Sequence, residues 1–400
     1  MDYVELLAPA GDRESLEAAV RFGADAVYLG GEALQLRAAR SAFSRENIAD
    51  AVAYVHERER RVYVTVNSFA KNEEIPQAGE YARFLADVGV DAAIISDIGV
   101  MAEVKRAAPD LEIHVSTQAN CMNYAAARVY HDMGAKRIVL ARETTLNEIA
   151  GIRAKTPPDL ELEAFVHGAM CMAYSGRCIL SSYLTGRSGN RGECAQPCRW
   201  SYALTEEQRP GEFFPIEEGN GYTAILSSHD LNCIDMLDEL KSAGITSFKI
   251  EGRMKTAYYV ATAVNAYRRA LDGTDTIENC RRELEAIKHR PYSDGFYHGY
   301  LKENPVNDGH YTQGCVFIGN VLDWRDGVVT LRQRNHFKVG ETLEVLSPGR
   351  DVVCFPVEKI VNETGEAQET APHPNQVLFV PCPVELHPGD FLRRREEKDA

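Results

Sequence analysis

Four cysteines lie within 28 residues near the middle of this 400-residue chain: Cys171, Cys178, Cys194 and Cys198. Four thiolates at such short spacing could hold a zinc ion or an iron–sulfur cluster. The other six cysteines are scattered singly along the chain. In a reducing compartment a disulfide framework is not expected, so most of these six should be small buried side chains.

The four cysteines lie in what we call the cysteine segment, residues 171–200. The spacing of the cysteines within it helps to distinguish a zinc site from an iron–sulfur cluster. Six residues separate the first pair of cysteines and three separate the second. Structural zinc sites usually have two short knuckles, and only the second pair resembles one. An iron–sulfur cluster requires four thiolates at no single spacing, and nearby glycines allow backbone N–H groups to approach its sulfurs. We therefore expect a metal centre, with an iron–sulfur cluster favoured over zinc.

Arginine and aromatic residues are interleaved with the cysteines. The arginines are Arg177, Arg187, Arg191 and Arg199, and the aromatic residues are Tyr174, Tyr183 and Trp200. This combination suits anionic ligands or stacked bases, although arginines that merely solvate a surface loop explain it equally well. Because the formal net charge of the chain is -15, any RNA contact must use a local basic patch.

The elements that would position these residues alternate regularly. The phrases FGADAVYLG, VGVDAAIIS, MGAKRIVLA and AGITSFKIE each place a helix-ending glycine before a short apolar run typical of a buried strand. Further strands are predicted at 4–8, 62–66, 113–116 and 162–166, and helices at 13–21, 48–58, 78–87, 98–107 and 124–132. Eight strands before residue 252 predict a (β/α)8 TIM-like barrel. A doubly wound open sheet is the alternative, but its glycine-rich phosphate turn is missing from the sequence.

Functional residues of such a barrel lie on the loops that follow the strands. The predicted strand ends include Asn67, Ser116, Arg142, His167 and the Glu251-Gly252-Arg253 turn. We expect His167, His229 and Glu251 to be the candidate catalytic side chains at the barrel mouth, where they would bind substrate or support the metal centre.

The chain changes character after the predicted barrel. Helices are predicted at 256–272 and 276–289, where they would close the barrel, and residues 290–312 are rich in Gly, Pro and Tyr. From residue 315 onward, short alternating runs separated by turn residues predict a small all-β domain. We expect a barrel over 1–290 that carries the cysteine motif at 171–198, a linker over 291–312 and a β domain over 313–400. One basic run lies in the β domain, at Arg332, Arg334, His336 and Lys338.

The N-terminal sequence MDYVELLAPAGD has no basic and apolar leader, and no run of about 18 apolar residues occurs. We therefore expect a cytoplasmic protein that does not interact with a membrane.

The residues around the first cysteine pair resemble a known family. The pattern E-x-F-x2-G-A-M-C-x4-G-x-C-x-L-S, present from Glu163 to Ser181, is similar to the signature of the collagenase-like peptidases, family thirty-two of unknown catalytic type. The segments Leu6–Gly31, Ser116–Asn120 and Phe248–Lys255 and the β-rich C-terminal region resemble the same family. The resemblance covers essentially the whole chain.

Despite the family label, the resemblance implies an iron–sulfur protein acting in hydroxylation. The most similar branch hydroxylates wobble uridine of tRNA to 5-hydroxyuridine with prephenate as co-substrate; other branches act on rRNA cytidine or a quinone precursor. It implies a [4Fe-4S] cluster on the four cysteines, with Cys233 as an alternative to Cys198 for the fourth ligand. Under this interpretation Arg177, Arg187, Arg191, Arg253 and Lys255 would hold the tRNA backbone or the prephenate carboxylates, unless they form ordinary surface salt bridges. A paralogous family member is a possible partner.

Two other function classes remain open at this point. A peptidase needs an activated nucleophile or a metal-bound water, but the sequence contains no G-x-S-x-G and no H-E-x-x-H pattern. The second alternative is a binding or scaffold protein whose cluster is purely structural.

Overall fold

The eight apolar runs predicted as strands form one closed parallel barrel in the computed structural model. The structure describes residues 3–36, 43–171, 173–174, 176–200, 204–205, 213–214, 229–299 and 311–396. The strands of the first part of the chain are β1 Glu5–Pro9, β2 Ala26–Gly30, β3 Arg61–Val66, β4 Ala92–Ile95, β5 Glu112–Val115, β6 Arg137–Val139, β7 Glu161–Ala169, β8 Leu204–Thr205, β9 Phe213–Phe214, β10 Asp230–Asn232, β11 Ser247–Ile250 and β12 Tyr292–Ser293.

Each of the strands β1 to β6 pairs in parallel with the next, and β11 closes the barrel between β7 and β1. At the closure, Ser247 is in register with Glu5 on one side and with Glu163 on the other. The predicted TIM-like barrel is therefore confirmed, and the alternative of a doubly wound open sheet is excluded. Beyond the barrel, β10 runs antiparallel to the last three residues of β7, and β12 adds to β10.

Helices connect the barrel strands, and the five helices predicted between strands are all present. The helices are α1 Arg13–Arg21, α2 Arg45–His56, α3 Ile75–Asp87, α4 Ile98–Ala107, α5 Tyr124–Asp132, α6 Leu146–Arg153, α7 Leu180–Thr185, α8 Leu237–Ser242, α9 Ala257–Asp272 and α10 Ile277–Leu284, with 3-10 turns η1 Thr117–Ala119, η2 Gly189–Arg191 and η3 Pro197–Arg199. The glycines predicted to end helices have positive φ angles, as the left-handed cap requires: Gly23, Gly89, Gly134 and Gly244.

The inside of the barrel combines an apolar layer with a buried charge network. The apolar layer consists of Leu7, Ala26, Tyr28, Tyr63, Ala92 and Ile94. The guanidinium of Arg137 contacts carboxylate oxygens of Glu5 at 2.5 Å and Glu163 at 3.0 Å, and the Lys249 ammonium contacts Glu163 at 2.7 Å. These four side chains come from β1, β6, β7 and β11, so the network joins the strands at the barrel closure.

Electrostatics keep this network ionised although it is buried. Burial opposes ionisation of both carboxyls. The Arg137 charge outweighs burial at Glu5, and the Lys249 and Arg137 charges outweigh it at Glu163, so the pKa of each carboxyl lies below its ordinary value. His114 on β5 lies against the edge of the Tyr63 ring. Burial, helped by Arg137, lowers the pKa of His114 to about 3, so its ring is neutral in the folded protein at neutral pH.

The chain forms two compact units, and their boundaries differ from those expected from the sequence. One unit comprises Met1–Val20, Ala24–Thr256 and Arg290–Tyr311; the other comprises Arg21–Gly23, Ala257–His289 and Thr312–Ala400. Helices α9 and α10 thus belong to the second unit, whereas we expected them to close the barrel. The reason is packing: the Tyr258 ring of α9 stacks on Phe317 with centroids 5.0 Å apart, and Arg269 pairs with Asp351.

The second unit contains the predicted all-β region. Its strands are β13 Cys315–Arg325, β14 Val328–Gln333, β15 Phe337–Lys338, β16 Thr342–Leu346, β17 Val353–Pro356, β18 Ile360–Asn362, β19 Ala367–Gln368, β20 Thr370–Ala371, β21 Val377–Pro381 and β22 Phe391–Arg395. Eight of them form one antiparallel sheet in the order β17-β16-β22-β13-β14-β21-β18-β19. The prediction of a C-terminal β domain is confirmed.

Among the described residues, no helix has the length and apolar character needed to cross a membrane.

The neutral, buried His114 generates a pH prediction. Its pKa is about 3 in the folded protein against an ordinary value of 6.5, so the unfolded chain binds more protons between these pH values. Stability therefore falls as pH falls through this window, by up to about 1.4 kcal/mol per pH unit for one proton. We expect urea denaturation at pH 6.5 and pH 5 to show this loss, and H114Q to reduce it.

The exposed His373 provides the control. The variant H373Q should keep the pH dependence of the natural chain. An equal loss of stability between pH 6.5 and pH 5 in H114Q and in the natural chain would contradict the assignment of His114.

Candidate functional site

A cavity of about 220 Å³ opens at the carboxyl ends of the barrel strands. Its wall contains side chains from the ends of several strands: Thr65, Asn67, Ser116, Arg142, Glu251 and Arg253. All six belong to the barrel unit; Thr65 lies near the end of β3, and the other five follow strands, where the barrel prediction placed functional residues. The cavity is hereafter called the mouth pocket.

All four clustered cysteines line the mouth pocket. Cys171 follows β7, Cys178 precedes α7, Cys194 follows η2 and Cys198 lies in η3. Cys171 and Cys194 are exposed, whereas Cys178 and Cys198 are half-buried. Within the described ranges, no three or more His, Cys, Asp or Glu side chains are already arranged around a metal position. The fold therefore brings the four thiols to one cavity without placing them in coordination geometry.

Cys233, the alternative fourth ligand, lies elsewhere. It is fully buried and is not among the residues that line the mouth pocket. Burial, reinforced by the Asp294 charge, raises the pKa of its thiol well above the ordinary value, which disfavours the thiolate that a metal requires.

The second half of the cysteine segment is fixed to the loop after β3. Arg191 forms two parallel bonds of 2.9 Å with the carboxylate of Glu74, and it also donates to the Phe69 carbonyl at 2.5 Å. The Asn190 amide donates to the Cys178 carbonyl at 3.1 Å. The hydrogen bonds from Arg191 are the main reason that the pKa of Glu74 falls to about 2. Arg191 thus anchors the segment, and its charge is matched within the protein.

The start of the cysteine segment is held by two other arginines. Arg142 donates to the Ala169 carbonyl at 2.9 Å, and Arg290 lies 3.4 Å from the Met170 carbonyl. Arg290 is itself fixed by the buried carboxylate of Asp230 at 2.7 Å. Charge-assisted bonds of this kind are stronger than neutral ones, so the main chain immediately before Cys171 is well defined.

Two further contacts fix the cysteine segment: a close backbone approach at Gly176 and a hydrogen bond to the Cys194 sulfur. Gly176 has φ +74°, and a Cβ there would lie 2.2 Å from the Gln118 carbonyl oxygen, so only glycine allows this approach. The backbone N–H of Gln196 donates to the Cys194 sulfur at 3.4 Å. A donor at this sulfur stabilises negative charge on it, as a metal-bound thiolate requires.

The deep side of the mouth pocket is rich in cations. The Arg253 guanidinium is buried and donates to the Thr65 hydroxyl at 2.6 Å, and the Arg142 guanidinium lies 3.9 Å from the centre of the Phe165 ring. Lys249 also lines the pocket, and burial lowers its pKa although Glu163 opposes this shift. With Glu251 as the acidic neighbour, this floor can bind a small anion.

The predicted site residues separate into two groups. Glu251 and Arg253 line the mouth pocket with the cysteines, whereas His167 and His229 do not. His167 is buried, with its ring 5.6 Å from that of Tyr292. Burial, followed by the Arg290 charge, lowers the pKa of His229.

The other predicted cations also lie outside the pocket. Arg177 and Arg187 are exposed, and the Lys255 ammonium lies 5.7 Å from the centre of the Tyr311 ring. Arg191 is paired with Glu74, as described above.

Sequence reasoning missed Lys249, Arg290 and the anchoring Glu74. A signal for Lys249 was available, because a charged residue within the apolar strand SFKI is unusual unless it is paired. Glu163 in β7 carries the same signal. The sequence offered no comparable signal for Glu74 and Arg290, whose partners lie far away along the chain.

The anchoring role of Glu74 can be tested by hydrogen exchange. The variant E74Q keeps the shape of the side chain but removes the charge that Arg191 contacts. A partly exposed bidentate pair contributes up to about 1 kcal/mol, so amides of residues 189–194 should exchange about fivefold faster. Its exposed neighbour Glu73 supplies the control, E73Q, which should leave exchange unchanged. Equal exchange in the two variants would contradict the anchor.

Two family models match the chain: Peptidase family U32 over residues 11–307 and the Peptidase family U32 C-terminal domain over residues 313–393. The chain is 36% identical to tRNA hydroxylation protein P1 of Bacillus subtilis, covering 98% of this chain and 94% of that protein. It is 39% identical to a 23S rRNA 5-hydroxycytidine synthase of Escherichia coli, covering 96% of this chain but 57% of that protein. It is 30% identical to a collagenase of Porphyromonas gingivalis, covering 99% and 98% respectively.

The matched regions include the barrel, the cysteine segment and the C-terminal sheet, so the resemblance noted in the sequence is confirmed along the whole chain. By these matches and by its fold, the chain belongs to peptidase family U32.

Proposed function

We propose that this chain is a tRNA-modifying enzyme that hydroxylates wobble uridine to 5-hydroxyuridine, with an iron–sulfur cluster as cofactor and prephenate as co-substrate. The observation that carries the proposal is the meeting of four cysteine thiols and several cations in one barrel pocket. Support comes from the relative named as a tRNA hydroxylation protein, which matches nearly the full length of both chains. The acceptor would be an RNA base, because the rRNA relative is also named for hydroxylation of a pyrimidine.

The residues present fit a [4Fe-4S] cluster. Four thiols line one cavity, and the Gln196 N–H points at the Cys194 sulfur. Cys198 is favoured as fourth ligand over Cys233, because only Cys198 lines the pocket. Such a cluster, when bound, supplies one-electron redox chemistry.

The remaining pocket residues have separate tasks in this proposal. Arg253 and Arg142 would bind carboxylates of prephenate, for which a planar guanidinium is well suited. The Glu251 carboxylate would accept a proton beside the reacting base. His167 and His229 lie outside the pocket lining and would act as positioning residues. The target base would enter unpaired, because a stacked base cannot reach an enclosed site.

A peptidase is the second candidate, since one full-length relative is named a collagenase. A cysteine nucleophile needs an adjacent base, most often histidine. Among the described residues that line the mouth pocket, none is a histidine. This lining favours hydroxylation over a cysteine–histidine peptidase. The same site could instead hydroxylate rRNA or a quinone precursor. Measuring modified tRNA, modified rRNA and the quinone in cells distinguishes these alternatives from our proposal.

The proposal also includes a cytoplasmic location, where tRNA is accessible and thiols remain reduced. A paralogous family member is proposed as a partner subunit.

The metal content tests the cofactor directly. Protein purified without oxygen should be brown and contain roughly four irons and four sulfides per chain. C171A and C198A should lose the visible absorption, whereas C233A should keep it. The exposed Cys354 in the second unit supplies a further control, C354A, which should also keep it. Stoichiometric zinc, or no metal in the natural chain, would contradict the cluster.

The substrate is tested in cells. Deleting the gene should remove 5-hydroxyuridine from tRNA, the natural chain should restore it, and C171A should not. Loss of a modified rRNA cytidine or of the quinone, with unchanged tRNA, would assign the enzyme to another branch. Cleavage of gelatin by the natural chain but not by C171A would favour the peptidase.

The carboxylate-binding role of Arg253 has its own readout. Hydrogen bonds to charged groups contribute about 1.5–3 kcal/mol, so R253Q should raise the prephenate concentration for half-maximal hydroxylation by about 10- to 100-fold. The control is K255Q, which changes a nearby cation outside the pocket lining and should alter this concentration little. Equal effects of the two variants, at equal iron content, would contradict the assignment.

A further inference from the structure

The cysteine segment presents an unusual cluster of exposed apolar side chains. The exposed fractions are 42% for Tyr174, 71% for Ile179, 84% for Tyr183, 45% for Leu184 and 44% for Trp200. These five are among fourteen large exposed apolar side chains in the described part of the chain, and they come from only 27 consecutive residues. We name these five side chains the mouth patch.

The mouth patch borders the mouth pocket. Tyr174 is both exposed and part of the pocket lining. Helix α7 carries Tyr183 and Leu184 outward, while its first residue, Leu180, lines the pocket. The same helix packs against η2 and η3, and η3 leads directly to Trp200. A ligand lying on the patch would therefore be next to the pocket entrance.

The charge around the patch is opposite to that of the chain. The whole chain has a formal net charge of -15, but residues 171–200 contain four arginines and one glutamate. Arg177 and Arg187 are exposed there, whereas Arg191 is matched by Glu74. A second copy of this chain is disfavoured as the occupant, because two chains that each have a net charge of -15 repel each other. A polyanion with flat apolar groups fits both properties, since arginines attract phosphates and aromatic rings stack on bases.

We infer that the mouth patch is the docking surface for an unpaired RNA loop, whose bases stack on Tyr183 and Trp200 and whose phosphates contact Arg177 and Arg187. The inference rests on the proposed function, and it adds the surface and the form of RNA that the enzyme binds. Single-stranded loops can turn their bases outward, whereas bases in a duplex remain stacked and paired. The loop would deliver one of its bases into the adjacent pocket.

The test is equilibrium binding of a fluorescent stem–loop RNA to the anaerobically purified full chain. Loss of one base–aromatic stack should weaken binding of Y183A by about tenfold. R187A should reduce the slope of log affinity against log salt by about 0.7, the value for one phosphate contact on a single strand. The same RNA annealed to its complement should bind less tightly to the natural chain. Its affinity for Y183A should equal its affinity for the natural chain.

Matched controls exist in both units. Val129 is an apolar side chain on α5 with 57% exposure, and Arg332 is an exposed cation on β14. V129A and R332A should bind the stem–loop like the natural chain. Weaker binding by R332A, with Y183A unaffected, would move the RNA surface to the β domain and overturn the inference.

Other occupants of the patch give different results. Reduced self-association of Y183A in sedimentation, with unchanged RNA binding, would assign the patch to a second copy. A lower unfolding temperature, again with unchanged binding, would assign it to a contact within the chain. Binding does not require the cluster reaction, so the two proposals can fail separately: Y183A can bind RNA weakly even if no 5-hydroxyuridine forms, and hydroxylation can occur even if Tyr183 is unimportant.

Discussion

The ion pairs inside the barrel set the geometry on which the mouth pocket depends. Glu163 on β7 is shared between Arg137 on β6 and Lys249 on β11, and Arg137 continues to Glu5 on β1. Cys171 follows β7, whereas Glu251 and Arg253 follow β11. The pairing of these strands therefore fixes the distance between the first thiol and the cationic floor. Removing one charge would leave its partners buried and unmatched, which costs about 3–5 kcal/mol.

Above this network, arginines substitute for regular secondary structure. Among the described residues between Cys171 and Cys198, regular structure is limited to one short α-helix and two 3-10 turns, so few of their backbone groups are fixed by helical or sheet hydrogen bonds. Arg142, Arg191 and Arg290 instead donate to carbonyl oxygens at the segment's start or on the neighbouring loop. Each guanidinium has several donors in a rigid plane, which lets one side chain join two elements. The thiols are thus gathered by side-chain contacts, while their loop stays open enough to accept a cofactor.

The sequence was informative where physical causes are local. Buried strands are short apolar runs, and glycines with positive φ end the preceding helices, so all eight barrel strands were recognisable. Helix α6 was missed although Thr145 and Glu148 form a capping box that its sequence displays. The clustered cysteines indicated where the site lies. The ion pair between Arg191 and Glu74 joins residues 117 positions apart, so the sequence around either residue does not predict it. The packing of α9 against Phe317 likewise depends on a contact distant along the chain.

The division of the chain into units has a consequence for how the protein is made. The second unit combines residues 21–23, 257–289 and 312–396 of the described chain, while residues 290–299 and 311 return to the first. During synthesis, α9 and α10 leave the ribosome before the sheet that they pack against exists. The barrel unit also lacks Arg290, which holds the main chain before Cys171, until that stretch emerges. A chain truncated at residue 289 would therefore have every thiol of the cysteine segment but would lack one of the arginines that hold its main chain.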